Sequence, residues 1–225
     1  MQGRAGFRIN SEWERPSDEL IAAFGAAASS QVADCMSRFG AVDPGIRPLW
    51  RSPRVIGAAL TVWARSADNL MMHKALSFAR EGDILVVNTQ GNVANAGFGE
   101  LMANAAVRAG IRAVVVDGVV RDGLDLEKLD LPVYSRGLSP TGCDKDGPGE
   151  IGTIIACGGV AVRPGDVVVA DQDGVTIVPL DDAPTIAELA VAKVESETAR
   201  LSEIAAGVLF KPEIDQILRE KGVIR

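Results

Sequence analysis

Histidine, cysteine, aromatic side chains and net positive charge are all scarce in this 225-residue chain, and each shortage removes a class of function. A single histidine, His73, cannot build a His-rich metal site or act beside a second one. Three cysteines (Cys35, Cys143 and Cys157) lie far apart with no C-x-x-C. That pattern argues against a disulfide framework or a zinc site, and it suits a reducing cytoplasm. Aromatics make up only 4%, so the core must be built mainly from Val, Ile, Leu and Ala. A net charge of -7 lacks the basic footprint of non-specific nucleic-acid binding, although one arginine can still dominate a pocket for a small anion. No apolar run approaches the ~20 residues that cross a bilayer, and residues 1–6 contain no signal-like apolar stretch. Neither a membrane nor a nucleic-acid partner is expected.

What remains is an ordinary globular composition, 47% hydrophobic and 24% charged, long enough for one substantial core. Serine-led amphipathic stretches at 17–28 and 30–39 read as helices, the second ending at Gly40. A strand is expected over Val55 to Ala64, with Gly57 as a bulge, and a helix over Asp68 to Arg80. Gly82-Asp83 turns into the apolar run Ile84 to Val87, and Gly165-Asp166 repeats that device before Val167. Glu100 to Arg108 reads as an alanine-rich helix between buried strands. Ser139 to Gly152, rich in Gly and Pro, reads as a surface loop. Short strands follow at Thr153–Ala156, Val160–Val162, Val167–Ala170 and Val175–Val178. A long helix over Ala183 to Ala206 and a shorter one over Pro212 to Glu220 close the chain. The order predicts a partly parallel sheet followed by antiparallel or mixed strands. The expected arrangement is a single domain over 1–225, with a core at about 29–180 and C-terminal helices at about 183–222.

One spacing stands out. Glu100 follows Gly97-Phe98-Gly99 at a helix start, and twenty residues (101–120) separate it from Arg121-Asp122 at a strand end. A helix start and a strand end one crossover apart can meet at one rim of a sheet. The amides of Gly99, Glu100, Leu101 and Met102 would favour an anion there. Arg121 could grip a carboxylate through two N–H groups, and Asp122 offers a hard oxygen suited to Mg²⁺ or Mn²⁺. Each piece alone has a plainer account: a capped helix with a favourable first-turn acid, and an Asp-Gly turn. The glycine loop is neither a phosphate-binding Gly-Lys-Ser/Thr loop nor a dinucleotide fingerprint, because position 102 is Met.

The run from Gly82-Asp83 through Gly97-Phe98-Gly99-Glu100-Leu101 to Val119-Val120-Arg121-Asp122 resembles the RraA-like family. So do Gly158-Gly159-Val160, Pro164-Gly165-Asp166 and Ala170-Asp171-Gln172-Asp173-Gly174-Val175. The similarity extends over roughly Ser29 to Gly207. The family includes class II 4-hydroxy-4-methyl-2-oxoglutarate aldolases, oxaloacetate decarboxylases and regulators of ribonuclease E. The resemblance implies a compact α/β/β/α sandwich with a protruding C-terminal helix, assembled as a homotrimer or homohexamer in the cytoplasm. It implies Asp122 as the direct ligand of a divalent metal, Mg²⁺ or alternatively Mn²⁺. Arg121 then binds the substrate carboxylate and steadies a pyruvate enolate. Glu100, where aldolases more often carry Asp, holds metal-associated water, and the amides of Gly99, Leu101 and Met102 receive the 2-oxo acid carboxylate. Glu197 of a neighbouring subunit also acts through water; its plainer role is a surface pair with Lys193 or Arg200. The regulators lack the complete acidic-X20-Arg-Asp set that this chain retains. A methyl-donor site is not apparent. His73 is expected to be a packing residue, Asp171 and Asp173 structural, and Asp117 a buried support for the Arg121 loop.

Overall fold

The computed structural model describes residues 1–225. Two short strands, β1 (Gln2–Arg4) and β2 (Phe7–Ile9), lead to helices α1 (Asp18–Ala23) and α2 (Ser29–Cys35). Strands β3 (Arg47–Pro48) and β4 (Val55–Ala64), helix α3 (Leu70–Ala75) and a 3-10 turn (Leu76–Phe78) follow. The central unit is β5 (Ile84–Phe98), α4 (Glu100–Arg108), β6 (Ala113–Val120), α5 (Gly123–Leu126) and β7 (Val133–Ser135). Five short strands come next: β8 (Gly149–Ile151), β9 (Ile155–Cys157), β10 (Val160–Val162), β11 (Val167–Asp171) and β12 (Gly174–Val178). Helices α6 (Ala183–Ala205) and α7 (Pro212–Glu220) end the chain.

Strands β4, β5, β6 and β7 run parallel in that order. Both faces of this sheet are covered, which is why β6 is buried along its whole length and reads as an unbroken apolar run. Period-two alternation sends Leu85, Val87, Val114 and Val116 towards Met71, Met72, Met102 and Ala106 of α3 and α4. The intervening residues, Ile84, Val86, Ala113 and Val115, meet Ile155, Val162, Val168 and Ile177 of the later strands. Val167 and Val169 then face the other way, against Phe24, Val32, Ile186 and Ala190. Three apolar interfaces thus separate four layers, the α/β/β/α order that the resemblance implied. Strand β4 joins the two sheets: it pairs with β5 and β8 towards its end, and with β11 towards its start.

Several local expectations change. Ser17 caps α1 as expected, its hydroxyl accepting the Leu20 N–H at 3.2 Å. Helix α2 is capped instead by its own Gln31, which accepts the Ala28 N–H at 2.8 Å, and by Asp171, which accepts both the amide and the hydroxyl of Ser29, at 2.7 and 2.6 Å. Asp171 is therefore structural, as predicted. Gly57 is not a bulge; a side chain there would collide with the Gly82 carbonyl. The helix expected over 68–80 shortens to α3 plus the 3-10 turn. Strand β5 continues to Phe98, its last part keeping step with β6 only through three register shifts. The loop expected over 139–152 ends in β8, which pairs with β2 and β4. The repeated turn is a real local device: Asp83 accepts the Arg80 N–H and Asp166 the Arg163 N–H, at 2.9 and 2.7 Å.

The 23 residues of α6 span ~35 Å at 1.5 Å per residue. Ala183, Ile186, Ala187 and Ala190 bury its first half, whereas α7 buries nothing.

Candidate functional site at the carboxyl ends of the parallel strands

Four connections leave the carboxyl ends of β4, β5, β6 and β7 at one rim, where open α/β sheets gather ligands. The connection after β5 is a single extended residue, Gly99 (φ -162°, ψ -170°), which serves as the N-cap of α4. Glycine has no side chain to cap with. Asp122 does it instead, its Oδ2 accepting the Glu100 N–H at 3.0 Å. Asp122 reaches this position through a left-handed backbone (φ 60°, ψ 38°), a conformation that Asp tolerates better than most residues and that is often kept at functional sites. The Arg121 N–H donates to the Phe98 carbonyl at 3.0 Å, joining the strand end to the helix start. The Arg121 Nε lies 3.5 Å from Asp122 Oδ2.

Glu100, Arg121 and Asp122 are therefore brought together, as the spacing predicted. Arg121 and Asp122 stay accessible, at 45% and 38% side-chain exposure, which leaves both free to meet a ligand. Glu100 is exposed and its carboxylate has no hydrogen-bond partner. The N–H groups of Leu101 and Met102 have no protein acceptor, as the first turn of a helix requires. Unpaired amides at the positive end of a helix, with an accessible guanidinium at the same rim, are the chemistry that could receive a carboxylate. The amide of Glu100 does not join them, because Asp122 occupies it.

The carboxylates suit a hard cation that retains most of its water, because Asp122 and Glu100 supply one or two oxygens and no more. No group of three His, Cys, Asp or Glu side chains is arranged around a common centre.

Glu197 stands apart from these residues within one chain. Its carboxylate accepts from Gln31 of α2 and pairs with Lys193 at 3.4 Å, the surface pairing weighed from the sequence. Two expectations are corrected. His73 is exposed and its ring makes no hydrogen bond, so it is not a packing residue; desolvation and the nearby Lys145 lower its pKa. Asp117 is buried, but it accepts from Arg136 Nε at 2.6 Å and from the Gly158 N–H at 2.7 Å, not from the Arg121 loop. Its position in β6 sends it to the face opposite Val116.

The sequence reading missed the loop 139–147, which walls the site beside Arg121. Three bonds fasten it to β5: Ser139 Oγ to the Ala94 carbonyl, the Ala96 N–H to Thr141, and Asn95 Nδ2 to Gly142. Asp68, in the connection after β4, accepts the N–H groups of Asp146 and Gly147 at 2.7 and 2.8 Å. Gly142 carried no signal of this in a stretch read as a surface loop, and Asp68, read as a helix start, showed no sign of holding that loop. Cys143 lies in the same wall; burial raises its pKa, with Asp68 and Asp144 adding to the effect against Arg121 and Lys145.

A cleft of about 760 Å³ opens at the opposite rim, between the start of β4 and α1. Two of the arginines that line it are held by protein. Arg15 makes two bonds to Asp83, and Arg112 donates to the Ile56 carbonyl at 3.0 Å.

A profile of the family described as RraA-like, Aldolase/RraA, matches residues 29–177. A protein of Halalkalibacterium halodurans, provisionally named a 4-hydroxy-4-methyl-2-oxoglutarate aldolase, is 33% identical over 191 residues, covering 85% of this chain and 91% of its own. Among solved structures, a Streptomyces coelicolor protein described as an unusual member of the RNase ES inhibitor RraA family superposes with a TM-score of 0.75 at 28% identity. That match covers 84% of this chain and 99% of the other. An RNA-processing inhibitor RraA from a Thermus species superposes with a TM-score of 0.63 at 27% identity, over 68% and 93% of the two chains.

Proposed function

The chain belongs to the RraA-like family, and on that premise we propose that it is a divalent-metal-dependent lyase. It cleaves a 4-hydroxy-2-oxo dicarboxylate of the 4-hydroxy-4-methyl-2-oxoglutarate type to pyruvate and a second oxo acid, and it decarboxylates oxaloacetate to pyruvate. The observation that carries the reading is the meeting of Arg121, Asp122 and Glu100 beside the two unpartnered amides of α4.

The substrate's C1 carboxylate binds Arg121 and the Leu101 and Met102 amides, which fixes the 2-oxo end at the rim. Asp122 would hold the cation directly, with Glu100 acting through water. When bound, Mg²⁺ or Mn²⁺ supplies Lewis-acid stabilisation for the negative charge that develops on the 2-oxo oxygen. Glu100, through a water, accepts the proton of the 4-hydroxyl. The bond between carbons 3 and 4 breaks, carbon 4 becomes a carbonyl, and the electron pair moves to carbon 3. Arg121 stabilises the resulting pyruvate enolate, which takes a proton at carbon 3. Loss of carbon dioxide from oxaloacetate leaves the same enolate without any hydroxyl to deprotonate. A Schiff-base route finds no support: Lys128 and Lys193 are held by carboxylates whose hydrogen bonds raise their pKa values.

The working unit is a homotrimer or homohexamer in which Glu197 of a neighbouring subunit approaches the site through water. Leu101, Leu124 and Leu138, exposed by 83%, 78% and 58% close to the site, support a neighbour there.

Pyruvate release from 4-hydroxy-4-methyl-2-oxoglutarate and from oxaloacetate tests the reading. EDTA, and separately Asp122→Ala, should reduce it by roughly two orders of magnitude or more. Release that survives EDTA but is lost to borohydride plus substrate would sink the metal mechanism. The structures of inhibitor relatives favour one second reading, a regulator that binds ribonuclease E. No pyruvate from any substrate, together with capture of ribonuclease E, would establish it.

A further inference from the structure

Arg121 lies between two glycines that the backbone does not require. Gly99 is extended at φ -162°, and Gly142 is absent from the left-handed glycines, so an ordinary residue could adopt either conformation. What a side chain would meet at either position is the site itself. A β-carbon at position 99 would stand 2.5 Å from Asp122 Oδ2 and 2.9 Å from Arg121 Cγ. One at position 142 would stand 2.7 Å from Arg121 Nη1.

Gly99 abuts the root of the arginine and Gly142 its tip. The wall at Gly142 has little freedom to retreat. Its carbonyl accepts Asn95 Nδ2 at 3.0 Å, the neighbouring Thr141 carbonyl accepts the Ala96 N–H at 2.7 Å, and Asp68 holds the loop at Asp146 and Gly147. A methyl group added there must displace the guanidinium and not the loop.

We propose that Gly142 is a positioning residue: its bare backbone sets the direction of the Arg121 fork and so the fit of a planar carboxylate. The inference rests on the reading of Arg121 as the group that binds the 2-oxo acid carboxylate. Two parallel N–H bonds to a carboxylate tolerate little misdirection, and a displacement near 1 Å in a bound group can cost up to about a hundredfold.

Calorimetric titration with oxalate in the presence of Mg²⁺ reads carboxylate binding apart from turnover, and pyruvate release supplies KM and kcat. Gly142→Ala should weaken oxalate binding and raise KM by roughly ten- to a hundredfold, with the thermal midpoint unchanged. Arg121→Ala removes the group that the methyl would strike. Adding Gly142→Ala to Arg121→Ala should therefore produce no further loss of oxalate affinity. Wild-type binding with an unaffected Gly142→Ala variant overturns the inference alone. An equal further loss in the Arg121→Ala background also overturns it, because Gly142 would then act without Arg121. A wild-type protein that binds no oxalate and releases no pyruvate overturns the functional reading and the inference together.

Discussion

Single buried carboxylates organise much of the backbone near the site, and their titration gives them opposite effects on stability. Asp68 is 1% exposed; burial alone would raise its pKa, but the N–H groups of Asp146, Leu70 and Gly147, with Arg65, bring it below the ordinary value. A carboxyl depressed on folding adds stability above its unfolded pKa and loses it as the pH falls through the folded one. Asp68→Asn should cost about 1–3 kcal/mol at neutral pH and flatten the acid side of the thermal midpoint's pH profile. An acid limb identical to wild type would refute that role. Asp166 has the opposite sign: burial raises its pKa in spite of the Arg163 and Leu180 amides. Its contribution therefore shrinks as the pH rises above the unfolded carboxyl range.

At the scale of elements, the arm formed by the end of α6 and by α7 is the part least explained by the chain alone. A nine-residue helix with no buried residue is marginal in water, yet Ile214 and Ile217 lie exposed along it, with Phe210 exposed just before its start. Truncation after Gly207 should leave the thermal midpoint of the layered core within a few degrees and shift sedimentation towards smaller species. An unchanged sedimentation profile would remove α7 from assembly. Those two helices, like β4 and α4, were legible in the sequence, because periodicity or a buried apolar run extends over whole elements. The meeting of Glu100 with Arg121-Asp122 was legible for the same reason, since a helix start and a strand end fix where each must lie. Strands β1, β2 and β8 were not, because three residues carry no period and their pairing is set by distant partners. The excursion of β5 beyond Asn88 left only a faint trace in Asn88-Thr89-Gln90-Gly91-Asn92, with Gln90 and Gly91 at positive φ. Gly142 was invisible for a different reason. Its role comes from the space Arg121 occupies, and local sequence does not encode that.

Across the whole molecule, the two rims of the parallel sheet differ in kind. One brings unpartnered amides, an accessible arginine and accessible carboxylates together; the other holds a cleft whose Arg15 and Arg112 are tied to Asp83 and to the Ile56 carbonyl. Arg121→Ala should abolish pyruvate release, whereas Arg112→Ala should leave it within about twofold once the small stability cost of one lost hydrogen bond is allowed for. Equal losses in both variants would relocate the chemistry. The molecule's mechanical unity has another source. Ten residues of β4 pair with a parallel neighbour and with two antiparallel ones, and so they belong to both sheets. Residues 55–58 of that strand hold β11 and residues 59–63 hold β5, so one continuous strand couples the opening of the two sheets. Amide hydrogen exchange should find Ala59 to Val62 among the last protons to leave, with the β5 and β11 amides exchanging in the same cooperative step. Early, independent exchange of β11 would show that the two sheets come apart separately.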